Sequence, residues 1–180
     1  IEEWEKVFGI RPISGSTFEN CSANNGGALG RIELTLEKTE DGYKVISIRI
    51  KDGTLTMIAP DHAPHSAEEK SKGLAGSAFG VVGIETAFSI LYTQLVEPGI
   101  VPLATILNAM CINPRKIFGL PGGSLEMDEI ADITVIGLER PYVIHSEDFR
   151  SLGRATPFAG WKCQGECKLT ICDGNVVYKK

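Results

Sequence analysis

Apolar and polar residues alternate through Arg31–Lys38 and again through Tyr43–Ile50, the two-residue period of half-buried strands. The linker Thr39-Glu40-Asp41-Gly42 contains an Asp-Gly hairpin signal, so these strands are predicted to form a β-hairpin. A third strand is predicted over Thr54–Ala59, stopped by Pro60 and delivering Asp61 at its C-terminal end. A loop follows, polar at first and then rich in glycine. Over residues 83–96 the period becomes helical, with Ile84, Ala87, Phe88, Leu91 and Leu95 on one face and Glu97-Pro98-Gly99 as the stop. A second helix opens with Pro102 in its first turn, aligns Leu103, Ile106, Leu107 and Met110, and is expected to end at Asn113-Pro114. Both apolar faces are expected to pack on one sheet. Beyond Gly122 come short strands at 131–137, 141–145, 168–172 and 175–179, the last two joined by Asp173-Gly174. The Gly-, Ser- and Asn-rich stretch from Ser14 to Gly30 reads as loop.

Three segments follow from this order: a loop and hairpin at 1–52, a strand–loop–helix region at 53–122, and a β-rich tail at 123–180. The length, 180 residues, allows one domain with a sizeable core. A net charge of −5 gives no broad basic surface for nucleic acid. No apolar run approaches the roughly 20 residues that span a bilayer, and the acidic start IEEWEKVFGI has no signal-peptide pattern, so a soluble cytoplasmic protein is expected. Cys21, Cys111, Cys163, Cys167 and Cys172 are odd in number and scattered, which argues against a disulfide framework. The last three lack the paired spacing of a structural zinc site and read as small apolar residues. Trp4 and Trp161 read as packing residues, Arg154 as a surface or strand-pairing residue, and Glu68-Glu69-Lys70 as solvated loop.

The chemistry concentrates in Asp61-His62-Ala63-Pro64-His65. In a (β/α) barrel, catalytic groups stand at the C-terminal ends of strands, where the loops converge on one pocket. A carboxylate there can bind a metal ion or act as general base, and nearby imidazoles can donate hydrogen bonds to an anionic substrate. Taken alone, two histidines in a loop are more often surface groups than ligands.

The wider pattern is more specific. TMIAPDHAPHSAEEKSKG, AFGVVGIETAFSILYT, NPRKIFGL, IADITVIG, GRATPFAGW and DGNVVY, in this order and at this spacing, resemble the dihydroorotases of the amidohydrolase superfamily over about residues 53–180. The resemblance implies an α/β fold: a C-terminal remnant of the amidohydrolase (β/α) barrel, a small β-sandwich-like tail and an N-terminal hairpin. It implies reversible hydrolysis of dihydroorotate to carbamoyl aspartate in pyrimidine biosynthesis, with zinc as the usual cofactor. Asp61 takes the place of the metal ligand and general base. His65 and the backbone of Ala78, Phe79 and Gly80 take the place of the substrate-binding groups.

The sequence also departs from that family. Pro60 stands where a small hydroxyl residue is usual, Ser77-Ala78 where Ala-Pro is common, and Ala155 where Asn is frequent. His62, His65 and His145 are the chain's only histidines, so the family's His-x-His and two later metal histidines have no counterpart here. A partner chain or an oligomer completing the barrel is one expectation; a non-catalytic remnant or interaction module is another. The tail of amidohydrolases pairs with strands from the enzyme's N-terminus, and the hairpin near 31–50 is expected to take that place. The stretch Asn24–Leu36 weakly resembles part of 5′-nucleotidase-like metallophosphoesterases, which leaves a phosphoesterase as a third reading.

Overall fold

The computed structural model describes residues 34–39, 42–48, 50, 51, 53 and 55–180. Expectations for Trp4, Cys21, the Ser14–Gly30 loop and the Asp41 turn lie outside the described residues. Strands β1 (Leu34–Thr39) and β2 (Gly42–Ile48) pair antiparallel as predicted, in a register that sets Thr39 opposite Gly42. Among the described residues they form a two-stranded sheet separate from the strands of the tail, so no described part of the hairpin takes a partner strand's place there.

Thr54–Ala59 is expected as a strand, but its described part, Leu55–Ala59, pairs with no described strand. A parallel strand exists only where a neighbour accepts its ladder. Here the second helix meets its polar groups instead: Ile58 N–H donates to the Ala109 carbonyl at 3.0 Å, and Asn113 Nδ2 to the Thr56 carbonyl at 2.8 Å. Asp61 therefore does not end a strand, and the nearest ladder element is a single parallel bridge between His62 and Val81.

Two very short helices follow, α1 (Ala67–Lys70) and α2 (Gly73–Gly76). Helix α3 (Ala87–Leu91) continues as a π-helical turn over Tyr92–Val96 and stops at Gly99, where φ is +75°. Helix α4 (Leu103–Leu107) likewise widens over Asn108–Ile112 and runs into α5 (Asn113–Phe118), which ends at left-handed Gly119. Asn113-Pro114 thus does not stop the helix. Asn113 N–H reaches back to Asn108 O, five residues away, and Pro114 has no N–H to give. The Ala109 carbonyl is left free by this arrangement, and Ile58 takes it.

The helices share one apolar cluster rather than one sheet. Ile50, Val101, Ile106 and Ala109 are buried at its centre, with Leu55, Ile58, Leu91 and Leu95 against them. Ile106 is fully buried, worth about 1.5–3 kcal/mol, but Leu107, expected inside, is 43% exposed. The far side of α3 meets the tail, where Ser89 Oγ donates to the Gly165 carbonyl and accepts from Tyr142 Oη.

In the tail, β3 (Ile133–Gly137), β6 (Glu166–Cys172) and β7 (Asn175–Lys179) form an antiparallel sheet in the order β3-β6-β7, while β4 (Tyr142–Val143) pairs with β5 (Lys162–Cys163). The predicted hairpin forms at Asp173-Gly174, with φ of +49° and +72°, the signature of the tight turn these two residues favour. Asp173 N–H and Gly174 N–H bond to Asp132 Oδ1 and the Ala131 carbonyl, which ties the turn to the start of β3. A second core of Val82, Ile144, Phe149 and Cys163, with Phe158 and Trp161 packed edge to face, joins the tail to the loop before α3. Trp161 and Cys163 are packing residues, and Arg154 donates to the carbonyls of Ser146 and Phe149.

Candidate active site

The Asp61–His65 loop is held by close backbone approach. Ala63 N–H donates to the Val81 carbonyl at 3.0 Å. A Cβ on Gly80 would lie 2.6 Å from Ala63 Cβ, and one on Gly83 2.6 Å from the Pro60 carbonyl oxygen. A Cβ on Gly153 would lie 2.8 Å from Pro64 Cβ and 2.9 Å from His65 N. Three glycines from two segments thus let the loop be gripped from both sides. Asp61 is exposed and sits at φ +50°, a left-handed conformation that aspartate tolerates better than most residues.

His65 is followed at once by a capping box. Glu69 N–H donates to Ser66 Oγ, and Ser66 N–H donates back to Glu69 Oε2 at 2.9 Å. The Ser66 N–H bond, followed by the Ser66 hydroxyl, holds the Glu69 carboxyl below the ordinary carboxylate range. Glu69 Oε2 also stands 3.7 Å from His65 Nδ1. The run Glu68-Glu69-Lys70 is therefore a short capped helix and not a solvated loop.

Lys70 does more than solvate a surface. Its ammonium donates to the carbonyls of Ala78, at 2.8 Å, and Gly80, at 2.9 Å, and so clamps the expected substrate loop between them. Gly80, at φ +123°, brings that loop against Ala63 and the His65 ring, while Phe79 projects outward, 92% exposed. His65 and Gly80 are thus neighbours, with Asp61 on the same loop as His65.

His62 and Glu85 complete the frame. His62 Nδ1 lies 3.2 Å from Gly83 N and 3.3 Å from Ile84 N, both donors. Glu85 accepts from Arg150 N, Ser151 N and Ser151 Oγ. Burial pushes the Glu85 carboxyl upward, but the Ser151 hydroxyl and the two backbone N–H groups outweigh it, and the net displacement is downward. Neither Lys70 nor Glu85 stood out in the sequence. The Ser66-x-x-Glu69 pattern was a readable signal for the first helix, whereas Glu85 meets partners 65 and 66 residues away.

The described residues do not make a complete zinc site. Such a site takes about three protein ligands, and among the described residues no group of three or more His, Cys, Asp or Glu side chains converges. The His62 ring faces backbone donors and Ser151, and His65 faces Glu69. Asp61, the expected metal ligand, is exposed.

Comparison with known proteins defines the class. Residues 20–177 match the amidohydrolase family, and the chain belongs to it. Within that family it is similar to the dihydroorotase of Geobacillus sp. (strain WCH70), 48% identical over 145 residues, covering 81% of this chain and 34% of that protein. The dihydroorotase of Brevibacillus brevis is 46% identical over 144 residues, covering 80% of this chain and 34% of its own length. The chain thus spans about a third of the length of these relatives. Among solved structures it is similar to the L-hydantoinase (dihydropyrimidinase) of Arthrobacter aurescens, with a TM-score of 0.67 and 29% identity over 73% of this chain and 30% of that one. The dihydropyrimidinase of Brevibacillus agri, at 21% identity and a TM-score of 0.67 over the same shares, has the same fold. The fold is that of part of an amidohydrolase barrel. The family match runs through Asn24–Leu36, so the phosphoesterase resemblance gains no support. No described helix is long and apolar enough to cross a membrane.

Proposed function

We propose that this chain carries the closing segment of a dihydroorotase-like cyclic amidohydrolase, with Asp61 as the reacting carboxylate. The observation that supports this most is the grip on the Asp61–His65 loop: three glycines and a capping box fix a loop in which Asp61 stays exposed. In the hydrolysis of dihydroorotate, water oxygen adds to the ring carbonyl carbon, the carbon–nitrogen bond breaks, and the nitrogen leaves with a proton. Asp61 takes the proton from water and returns it to that nitrogen, a general base and then a general acid. His65 and the Ala78–Gly80 backbone hold the substrate carboxylate. Lys70 supports them by drawing the loop's carbonyls away from the anion.

Zinc is the cofactor that the resemblance implies, and Asp61 offers it one oxygen. The other ligands have to come from another part of the protein or from a partner chain. Phe79 and Ile84, 92% and 63% exposed on the segments that contact the loop, favour such a partner. The observation that no three-ligand cluster forms among the described residues supports the second reading, a non-catalytic remnant.

The test is dihydroorotate hydrolysis with metal analysis, on the chain alone and mixed with a polypeptide carrying the rest of a dihydroorotase barrel. Turnover in the mixture that Asp61→Asn abolishes supports the proposal. Turnover indifferent to Asp61→Asn would place the chemistry elsewhere, and inert, metal-free protein in both arms would favour the remnant.

A further inference from the structure

Glu85 joins chain segments that meet only in the fold. Its Oε1 accepts from Ser151 Oγ at 2.6 Å and from Ser151 N at 3.0 Å, and its Oε2 accepts from Arg150 N at 2.8 Å. A serine hydroxyl has one hydrogen and two lone pairs. With its hydrogen on Glu85, Ser151 Oγ has only lone pairs left for His62 Nε2, which lies 3.5 Å away. At the opposite edge of the ring, Nδ1 faces the N–H groups of Gly83 and Ile84. A neutral imidazole has one donor nitrogen and one acceptor nitrogen. Nδ1 between two donors must be the acceptor, so the ring hydrogen sits on Nε2 and points at Ser151. Donors then run in one direction, from His62 Nε2–H to Ser151 Oγ and from Ser151 Oγ–H to Glu85. This order differs from a nucleophilic triad, in which the carboxylate binds the imidazole and the imidazole takes the serine proton.

We infer that Glu85 is a positioning residue for the Asp61–His65 loop, acting through Ser151 to orient the His62 ring and to add to the tautomer preference that the Gly83 and Ile84 N–H groups set. His62 follows Asp61 in the chain and pairs with Val81, so a ring held at both edges fixes the peptide that carries the Asp61 carboxylate. The importance of that peptide rests on the reading of Asp61 proposed above; the Glu85–Ser151–His62 connection rests on geometry alone. The Ser151–His62 step is the longest in the set, so its effect on the tautomer ratio lies at the low end for a hydrogen bond, about twofold.

The experiment is ring-nitrogen NMR of the histidine-labelled 180-residue chain, in alkaline buffer where the ring-nitrogen shifts no longer change with pH. The wild type should show His62 with Nε2 protonated and Nδ1 bare. Glu85→Ala and Ser151→Ala should each shift the tautomer ratio by about twofold or more. Glu85→Gln keeps an oxygen for the Ser151 hydroxyl and should restore the wild-type signature. A carboxylate that merely fastens the 150–151 segment would lower Tm when removed but leave the His62 nitrogens at their wild-type positions. Wild-type nitrogen shifts in both folded alanine variants would overturn the inference. Should Glu85→Ala not fold, Ser151→Ala decides alone. Asp61→Asn leaves the His62 signature intact, so failure of the turnover proposal and failure of this inference are read separately.

Discussion

Gly153→Ala isolates the grip on the Asp61–His65 loop. Gly153 is buried, and its backbone lies outside the left-handed region, so alanine meets no conformational penalty there. The obstacle is space. The new Cβ would stand 2.8 Å from Pro64 Cβ and 2.9 Å from both His65 N and His65 O. Two of these neighbours are backbone atoms and the third belongs to a proline ring, so none can swing aside as a flexible side chain would. Overpacking of this kind costs about 1–3 kcal/mol. In a chain of this size each kcal/mol lowers Tm by about 2–4 °C. Gly99→Ala is the control. Gly99 has nothing within 4 Å of its would-be Cβ but lies at φ +75°, so alanine there carries only the left-handed penalty, about 1–2 kcal/mol. Thermal unfolding should therefore show a loss of Tm in both variants, while amide spectra should show the His65 resonance displaced only in Gly153→Ala. A Gly153→Ala protein with wild-type Tm and an unmoved His65 amide would refute the argument that this glycine holds the loop.

Three further outcomes follow from the site. Lys70→Met should raise amide exchange across residues 78–80, because the Ala78 and Gly80 carbonyls lose their common donor; unchanged exchange would show that the clamp is dispensable. Ser66→Ala should cost about 0.5–2 kcal/mol in denaturant unfolding through loss of the cap, and a neutral result would count against the capping box as the anchor after His65. Glu85 has a folded-state carboxyl below its ordinary value of 4.5, so its contribution to stability is present above that pH and is lost as pH falls below it. Between about pH 5 and about pH 3, Glu85→Gln should lose less stability than the wild type, measured by denaturant unfolding at each pH; equal losses would exclude Glu85 as a source of the acid sensitivity.

The sequence by itself determined the elements whose causes are local. Asp173-Gly174 makes its turn because those two residues tolerate positive φ side by side. The alternation in β1, β2 and the tail strands, the helical period around Phe88 and Ile106, and the DHAPHS motif were all legible without coordinates. The Ser66–Glu69 capping box was legible too, since both partners lie within one helical turn, but the charges around it disguised it as a solvated loop. Tertiary structure decided what depends on distant partners. Thr54–Ala59 has the composition of a strand, yet a strand needs a neighbour, and the described part of this one gives its backbone groups to the second helix. Pro114 has the local signature of a stop, yet a π-helical turn lets the helix continue and frees the carbonyl that Ile58 takes. Glu85 and Ser151 are 66 residues apart, and no pattern within a window of either one reveals that they meet beside His62. Local preference acts over a turn or two of chain, whereas a hydrogen bond between remote segments exists only after the cores around Val82 and Ile106 have brought those segments together.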